Sequence, residues 1–234
     1  MTLNIDGLEC GYGKLRVLRG VTLRVGDESV GLFGPNGAGK TTLINAVMGM
    51  LRPQAGSIRF GDRDIAGMKT HEVARCGIAL VPQERELFPA MSVADNLELG
   101  AAYIPGAAEG AEAQLELVFS LFPVLRDRYR QRTGTMSGGQ QRQVAIGRAL
   151  MAKPRLLILD EPSLGLQPSI VAEVFERLGE LKRSLSILVT EQNVRESLRS
   201  VDRGYVLENG SIAIEGDAES LKENPHVIAS YLGL

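Results

Sequence analysis

Residues 34–42 have the types and spacing of a loop that binds phosphate groups. The stretch reads Gly34-Pro35-Asn36-Gly37-Ala38-Gly39-Lys40-Thr41-Thr42. It matches the pattern G-x-x-x-x-G-K-[ST] at every fixed position. Glycines let successive backbone N–H groups turn onto one anion, and a helix that starts near Lys40 adds its positive dipole end. The loop therefore predicts a nucleotide site, with Lys40 near the β- and γ-phosphates and the Thr41 hydroxyl as a ligand of Mg²⁺.

Two carboxylates, Asp160 and Glu161, follow the apolar run at residues 156–159. A buried strand that ends in Asp is the usual partner of a phosphate loop. This context predicts that Asp160 belongs to the magnesium shell. Glu161, one residue further on, is predicted to accept a proton from an attacking water molecule. The alternative is a solvated pair of acids in a loop.

Two other side chains are predicted to face the same nucleotide. Gln83 follows the apolar run at residues 77–81, and ligands of open α/β sheets bind beyond the carboxyl ends of the strands. Tyr12 lies between two glycines ahead of the phosphate loop, where an aromatic ring can stack on a purine base. An ordinary turn tyrosine is the alternative for Tyr12.

A second helix start with anion-binding character lies at residues 137–140. The stretch Ser137-Gly138-Gly139-Gln140 precedes apolar residues at helical spacing, so Ser137 is predicted to be an N-cap. Its hydroxyl, the glycine amides and the helix dipole together favour an anion. A plain helix cap without a ligand is the alternative.

The elements that must position these residues follow from the apolar periodicity. Residues 1–33 read as hairpin-rich β structure, residues 86–152 as helices, and the segment from 153 onward as buried strands alternating with helices before a hairpin at 202–214. This order predicts an α/β fold: a P-loop NTPase core with a mostly parallel sheet and flanking helices, an N-terminal antiparallel β part and a helical insertion subdomain. We expect one domain over 1–234, with the nucleotide-binding core at 1–85 and 153–234 and the helical subdomain at 86–152.

Composition excludes several classes of function. With 26 basic and 28 acidic residues the net charge is −2, so the composition does not indicate a general affinity for nucleic acid or for an anionic membrane, and specific recognition stays open. Cys10 and Cys76 have no metal-ligand spacing, which favours reduced thiols. No apolar run approaches the length of a membrane span. We expect a soluble chain in a reducing compartment.

Together these motifs resemble the ATP-binding subunits of ABC transporters over nearly the whole chain. Residues 34–41 look like the Walker A loop, 156–160 like the Walker B strand, 137–140 like the family signature, Gln83 like the Q-loop residue and Tyr12 like the adenine-stacking residue. The resemblance implies ATP and Mg²⁺ as cofactors. It also implies metal ligation by Thr41, Gln83 and Asp160, and hydrolysis that involves Glu161, Gln83 and Gln192.

The segments 189–193 and 202–210 look most like the branched-chain amino acid importers, specifically the ATPase subunit that carries Gln after this strand. Importers for urea or another small solute are similar enough to remain open. The resemblance implies permease subunits as partners and a position at the cytoplasmic face of the inner membrane. It also implies a head-to-tail dimer in which Ser137 to Gly139 of one chain close on the ATP of the other. The surface at Glu84, Leu87 and Phe88 is expected to dock onto the permease; an ordinary exposed loop is the alternative.

Two positions depart from the pattern of the superfamily. Gln167 stands where Asp is usual, and Gln192 stands where the switch histidine is usual. Neither histidine of the chain, His71 or His226, follows a buried strand beyond Asp160, so neither can replace it. We expect slow hydrolysis by a homodimer and therefore a paralogous partner that carries the histidine, with a homodimer as the alternative.

Two other classes of function are alternatives. A non-transport ABC ATPase would carry a long coiled-coil insertion or a tandem ATPase unit, and the sequence has neither. A regulatory module that binds ATP without hydrolysing it is favoured by Gln192 and disfavoured by Glu161.

Overall fold

The computed structural model of the chain describes residues 2–182 and 184–232. The strands are β1 (Leu3–Tyr12), β2 (Leu15–Val25), β3 (Ser29–Phe33), β4 (Ala55–Phe60), β5 (Arg63–Asp64), β6 (Ile78–Val81), β7 (Leu156–Asp160), β8 (Ser186–Glu191), β9 (Arg203–Glu208) and β10 (Ser211–Asp217). The α-helices are α1 (Lys40–Val47), α2 (Thr70–Arg75), α3 (Val93–Ala102), α4 (Ala111–Leu121), α5 (Pro123–Asp127), α6 (Gly138–Met151), α7 (Pro168–Leu181), α8 (Val194–Ser197), α9 (Ala218–Glu223) and α10 (Pro225–Val227). A 3-10 turn (Thr133–Thr135) precedes α6, and a π-helical turn (Ile228–Leu232) follows α10.

A six-stranded sheet in the order β10-β9-β3-β8-β7-β6 forms the centre of the protein. The pairs β3–β9, β3–β8, β8–β7 and β7–β6 are parallel, and β10 joins β9 as an antiparallel hairpin. Every residue of β3, β7 and β8 is buried. Strands covered on both faces read as continuous apolar runs, which is why the sequence predicted them. The α/β fold class with a mostly parallel sheet is confirmed.

A second sheet is antiparallel and has the order β2-β1-β4-β5. β1 pairs with both β2 and β4, so that Leu3 lies opposite Val25 on one side and Phe60 on the other. Along the second half of β2, buried and exposed residues alternate. This pattern is typical of a sheet with one face on the core. The predicted N-terminal antiparallel β part is confirmed.

Between β6 and β7 the chain is helical, with α3 to α6 and the 3-10 turn. Helix α3 starts with a capping box. Ser92 Oγ accepts a hydrogen bond from the Asp95 backbone N–H at 3.1 Å, and Asp95 Oδ2 accepts one from the Ser92 N–H at 2.9 Å. In α4 the predicted apolar spacing buries Val118 and Phe119 against the neighbouring helices.

Two hydrophobic clusters cover the two faces of the central sheet. Along β7, Leu157 and Leu159 pack with the helices, whereas Leu156 and Ile158 pack with α1 and the antiparallel sheet. Because β3, β6, β7 and β8 are parallel, the segments that follow all four strands lie at one edge of the sheet. That edge carries the phosphate loop, Gln83, Asp160 and Gln192.

The predicted hairpin at Asn209 and Gly210 joins β9 to β10, and both residues have positive φ angles, 50° and 80°. Such a pair is typical of tight two-residue turns between antiparallel strands. In the part of the chain that is described, no helix combines the length and the apolar character needed to cross a membrane.

Candidate nucleotide-binding site

The predicted phosphate loop runs from the end of β3 to the start of α1. Gly34, Gly37 and Gly39 have φ angles of 154°, 81° and 115°, a region that other residues rarely adopt. A Cβ at Gly34 would lie 2.3 Å from the Leu207 carbonyl oxygen, so close packing also requires glycine there. Gly39 is the N-cap residue of helix α1, so no side chain caps the start of this helix. The first N–H groups of the helix therefore point into the loop without a capping side chain.

Lys40 is buried at the start of α1, with 4% of its surface exposed. Its Nζ donates hydrogen bonds to the carbonyl oxygens of Gly34 at 2.8 Å and Pro35 at 3.2 Å. It also forms an ion pair with Glu161 Oε1 at 3.1 Å. The lysine thus lies against its own loop and is neutralised by the predicted catalytic glutamate.

Asp160 ends β7 and contacts two hydroxyl groups. Thr41 Oγ1 donates to Asp160 Oδ2 at 3.0 Å, and Thr190 Oγ1 donates to Asp160 Oδ1 at 2.6 Å. Burial raises the pKa of Asp160, although both hydroxyl hydrogen bonds act in the opposite direction. The structure therefore brings together Thr41 and Asp160, two of the three residues predicted to hold the metal.

Glu161 has a φ angle of 45°, a left-handed conformation that is unusual for a residue other than glycine. Its N–H donates to the Thr190 carbonyl oxygen at 3.0 Å and to Thr190 Oγ1 at 3.2 Å, and these bonds hold the turn. Backbone strain of this kind clusters at active sites. The carboxylate is buried and faces Lys40.

A cavity of about 520 Å³ connects these residues to the end of β1. It is lined by Tyr12, Leu15, Val17, Asn36, Gly37, Gly39, Lys40, Thr41, Thr42, Gln83, Glu161 and Leu164. Tyr12 is 51% exposed at its rim, beside the exposed Leu15. Pro35 and Ala38 complete the loop, with Pro35 exposed and Ala38 buried. One cavity therefore joins an exposed aromatic ring, the phosphate loop and the predicted catalytic glutamate.

The remaining predicted site residues do not line this cavity. Ser137 is the N-cap of α6 as predicted: Ser137 Oγ accepts from the Gln140 N–H at 3.3 Å, and Gln140 Oε1 accepts from the Ser137 N–H at 3.1 Å. Gly138 and Gly139 form the first turn of this helix. Gln192 is exposed immediately after β8, the strand that lies between β3 and β7.

Sequence reasoning missed a buried carboxylate, Glu191, beside Gln192. Its two oxygens accept hydrogen bonds from the N–H and the hydroxyl of Ser163, each at 2.8 Å. Burial raises the pKa of Glu191, against the effect of these bonds. Glu191 thus ties the segment after Glu161 to the segment that carries Gln192. An acidic residue at the end of a strand with an apolar centre, residues 187–189, was the available signal.

Sequence reasoning also missed Arg142, a buried guanidinium in α6. It donates to the carbonyl oxygens of Pro82 at 2.9 Å and Gln83 at 2.8 Å. The signal in the sequence was its place on the apolar face of the helix, in line with Ala145 and Ala149.

The residues present fit a nucleoside triphosphate with a divalent cation. An uncapped helix start beside a buried ammonium group favours a polyphosphate. The Thr41 hydroxyl and the Asp160 carboxylate supply the oxygen ligands that Mg²⁺ prefers.

A parallel sheet whose phosphate loop faces an Asp–Glu pair defines a nucleoside triphosphatase. A family model described as ABC transporter matches residues 18–164, more than half of the chain, and the chain therefore belongs to the ABC transporter family as an ATP-binding subunit. It is an ATPase, as the members that it resembles are.

Individual relatives cover nearly the whole chain. The protein is 42% identical to the high-affinity branched-chain amino acid transport ATP-binding protein BraG of Pseudomonas aeruginosa, over 99% of both chains. It is 38% identical to the lipopolysaccharide export system ATP-binding protein LptB of Acidithiobacillus ferridurans, over 99% of this chain and 96% of that protein. Among solved structures, the ADP conformation of MJ1267, an ATP-binding cassette of an ABC transporter, superposes with a TM-score of 0.87 at 29% identity and covers 100% of both chains.

Proposed function

We propose that this ATPase powers an importer for branched-chain amino acids from the cytoplasmic face of the cell membrane. The observation that carries the proposal is the 42% identity to BraG over 99% of both chains. The identity to LptB is 38% over a similar length, so the superfamily fold by itself does not select a solute. An importer for urea or another small solute is the alternative.

The half-exposed Tyr12 ring is proposed to stack on the adenine of ATP. It stands at the rim of the cavity whose floor is the phosphate loop, so a base on the ring and phosphates on the loop can belong to one molecule. The loop amides and Lys40 then hold the phosphates.

Hydrolysis is proposed to use Glu161 as the base that accepts a proton from water. The carboxylate is paired with Lys40 in the structure, so a phosphate that attracts Lys40 frees Glu161 for this role. Thr41, Asp160 and Gln83 would hold Mg²⁺, which when bound neutralises phosphate charge. Gln192 follows the strand between the phosphate loop and Asp160, and is proposed to orient the water by an amide hydrogen bond.

The working unit is proposed to be a head-to-tail dimer. Ser137, Gly138 and Gly139 form an anion-binding helix start that does not line the cavity of its own phosphate loop. A second chain would supply the phosphate that they meet. We propose a paralogous ATPase subunit as this partner, with a second copy of the protein as the alternative.

A groove of about 670 Å³ between α1, β6, α3 and α6 is the proposed permease site. Met50, Phe88 and Tyr103 line it, and all three are exposed apolar or aromatic side chains. Glu84 also lines the groove, directly after Gln83. In this proposal the helical subdomain, residues 86–152, moves against the core, residues 1–85 and 153–234, and transmits ATP occupancy to the permease.

The substitution Lys40→Ala tests the nucleotide site. We expect the affinity for Mg-ATP to fall at least about 100-fold, because the buried ammonium contributes charge that backbone amides cannot replace. Isothermal titration calorimetry measures the affinity, and Lys222→Ala, in the surface helix α9, is the matched control. Equal affinity in the Lys40 variant and the control would refute the assignment.

The function itself is tested in the native membrane. The complex is purified through a tag on this chain, its companion chains are identified by mass spectrometry, and uptake of labelled leucine, isoleucine and valine is measured with and without the gene. We expect a permease, a second ATPase chain and loss of uptake of all three amino acids. Unchanged uptake of these amino acids, with loss of urea uptake or of another transport activity, would select the alternative.

A further inference from the structure

Among the described residues, Arg142 is the largest side chain that is fully buried, with 1% of its surface exposed. Within the described residues it forms no ion pair with a carboxylate. Its two terminal nitrogens instead donate to consecutive carbonyl oxygens, Nη1 to Pro82 at 2.9 Å and Nη2 to Gln83 at 2.8 Å. Its Nε is buried and has no hydrogen-bond partner in the described part of the chain.

Burying a guanidinium without a carboxylate partner costs free energy of folding, and this cost indicates that the position of Arg142 has a role. Removing a charge from water without a paired carboxylate carries a large desolvation penalty. Burial lowers the pKa of Arg142, while the negative charges of Glu191, Asp160 and Glu84 act in the opposite direction. The planar fork can bind two adjacent carbonyl groups at once, which the single ammonium of a lysine cannot do in the same geometry.

The two ends of this contact belong to different parts of the site. Arg142 lies about one helical turn after Ser137 and Gly139, the helix start proposed to meet the ATP of a second chain. Gln83 lines the cavity together with Lys40, Thr41 and Glu161. The Arg142 side chain therefore connects the start of α6 to the backbone of Gln83, which lines the nucleotide cavity.

We infer that Arg142 is a positioning residue that fixes Gln83 to α6, so that the approach of Gln83 to the nucleotide and the placement of Ser137 and Gly139 change together. The inference rests on the proposed role of Gln83. Among the described residues, Arg142 forms no hydrogen bond with the phosphate loop or Glu161 and does not line their cavity, so it acts through the Gln83 backbone.

Arg155 provides a matched control at the other end of the same strand. Its Nη2 donates to the Cys76 carbonyl oxygen at 2.6 Å, ahead of β6, whereas Arg142 binds the carbonyl groups that follow β6. An Arg→Lys change at either position weakens a guanidinium contact with backbone. Only the change at Arg142 alters the end of the strand that carries Gln83.

The test is a double-mutant cycle on the whole protein with Arg142→Lys, Gln83→Ala and the combined variant, with Arg155→Lys as control. The substitution of Gln83 keeps its carbonyl group, so the Arg142 contact survives in that variant. We expect Arg142→Lys to lower kcat for Mg-ATP about 10-fold, with the Kd for Mg-ADP changed less than about 2-fold. In the Gln83→Ala background the same substitution should change kcat less than about 2-fold, because its effect passes through Gln83.

The outcomes separate the inference from the proposed function. An unchanged kcat in Gln83→Ala alone refutes the role of Gln83, and the inference with it. If Gln83→Ala lowers kcat and Arg142→Lys lowers kcat further by the same factor in both backgrounds, the inference is refuted while the proposed role of Gln83 stands. An equal loss of kcat in Arg155→Lys also overturns it. If Arg142→Lys does not fold, Arg142→Gln takes its place in the cycle, and failure of both to fold assigns Arg142 to stability and overturns the inference.

Discussion

Four charged side chains lie buried around the start of α1 and the ends of β7 and β8: Lys40, Asp160, Glu161 and Glu191. Charged residues are rarely buried unless they are paired, and Lys40 and Glu161 form such a pair. Burial raises the pKa of both Asp160 and Glu191. Such perturbed groups in a cleft mark functional sites, since a site built only for stability would avoid the desolvation penalty.

Asp160→Asn is expected to stabilise the protein at neutral pH while abolishing hydrolysis. Since the pKa of Asp160 is raised in the fold, its neutral form is favoured there. The associated stability is fully present below the ordinary pKa of 3.8 and is lost as the pH rises through the raised value. Asn cannot ionise, so the stability of the variant does not fall in this way as the pH rises. We expect a gain of about 1 kcal/mol at pH 7, or roughly 2–4 °C in Tm.

Thermal unfolding at pH 7 and near pH 4 checks this prediction. The difference in Tm between Asp160→Asn and the unmodified protein should shrink at the lower pH, because the raised pKa lets Asp160 take up its proton as the pH falls. A variant that is less stable than the unmodified protein at pH 7 would contradict it.

Gln192→His is expected to raise the turnover of the protein on its own. Glutamine donates an amide hydrogen bond but can neither take up a proton nor become positively charged near neutral pH, whereas histidine can do both. A positioned group of this kind contributes about 10²–10⁴-fold to a rate, so we expect at least about a 10-fold gain. Steady-state ATPase assays measure it, and Asn193→His, one residue further along the same exposed segment, is the control. Brisk hydrolysis by the unmodified chain with no gain in the variant would favour the homodimer.

At the scale of elements, α6 begins where another helix leaves no room for a side chain. A Cβ at Gly139 would lie 2.7 Å from Ile170 Cγ2 in α7, whereas one at Gly138 would meet only the flexible end of Arg85, at 2.8 Å from Nη2. The second glycine of the signature is therefore required by helix packing, in addition to any role toward a phosphate. The sequence alone indicated a role of Gly139 toward a phosphate and gave no sign of its role in helix packing.

Gly139→Ala is expected to destabilise the protein by about 1–3 kcal/mol through the clash with Ile170. Gly138→Ala should cost less than about 1 kcal/mol, since the Arg85 side chain can move aside. The combination of Gly139→Ala with Ile170→Ala should recover most of the lost Tm if the clash is the cause. A Tm that stays low in the combined variant would mean that the backbone of the helix start, not the contact with α7, requires glycine.

At the scale of the whole molecule, the phosphate loop and the start of α6 are separate surfaces of one chain. Parallel strand order gathers the loop, Asp160 and Gln192 at one edge of the sheet, while Ser137 belongs to the helices inserted between β6 and β7. Each chain thus offers a phosphate loop and a separate helix start that is proposed to bind an anion. This separation is the physical reason for proposing two chains per functional unit.

Glu161→Gln is expected to trap that dimer in the presence of Mg-ATP. Removal of the proton acceptor blocks hydrolysis, while the loop and Lys40 still bind the nucleotide. Analytical ultracentrifugation of the variant, alone or mixed with its companion ATPase chain, should show about twice the monomer mass of 25.2 kDa with ATP and the monomer without it. The double variant Lys40→Ala with Glu161→Gln should stay monomeric. A Glu161→Gln variant that stays monomeric with ATP, even when its companion ATPase chain is added, would refute the head-to-tail arrangement.

The sequence by itself determined the features that depend on local order. Apolar runs identified β3, β7 and β8 because both faces of a parallel sheet are covered, and loop spacing identified residues 34–42 because phosphate binding there uses backbone amides of consecutive residues. Ser137 was found as a cap because its capping partner, Gln140, lies three residues away along the chain.

Only the tertiary structure decided which distant groups meet. The hydrogen bonds from Arg142 to Gln83, from Ser163 to Glu191 and from Thr190 to Asp160 each join residues that lie far apart in the sequence. A local pattern carries no information about such pairs, because their distance is set by the packing of whole strands and helices. The same holds for the space beside Gly139, which the position of α7 removes. The left-handed conformation of Glu161 likewise depends on Thr190, a residue of the neighbouring strand.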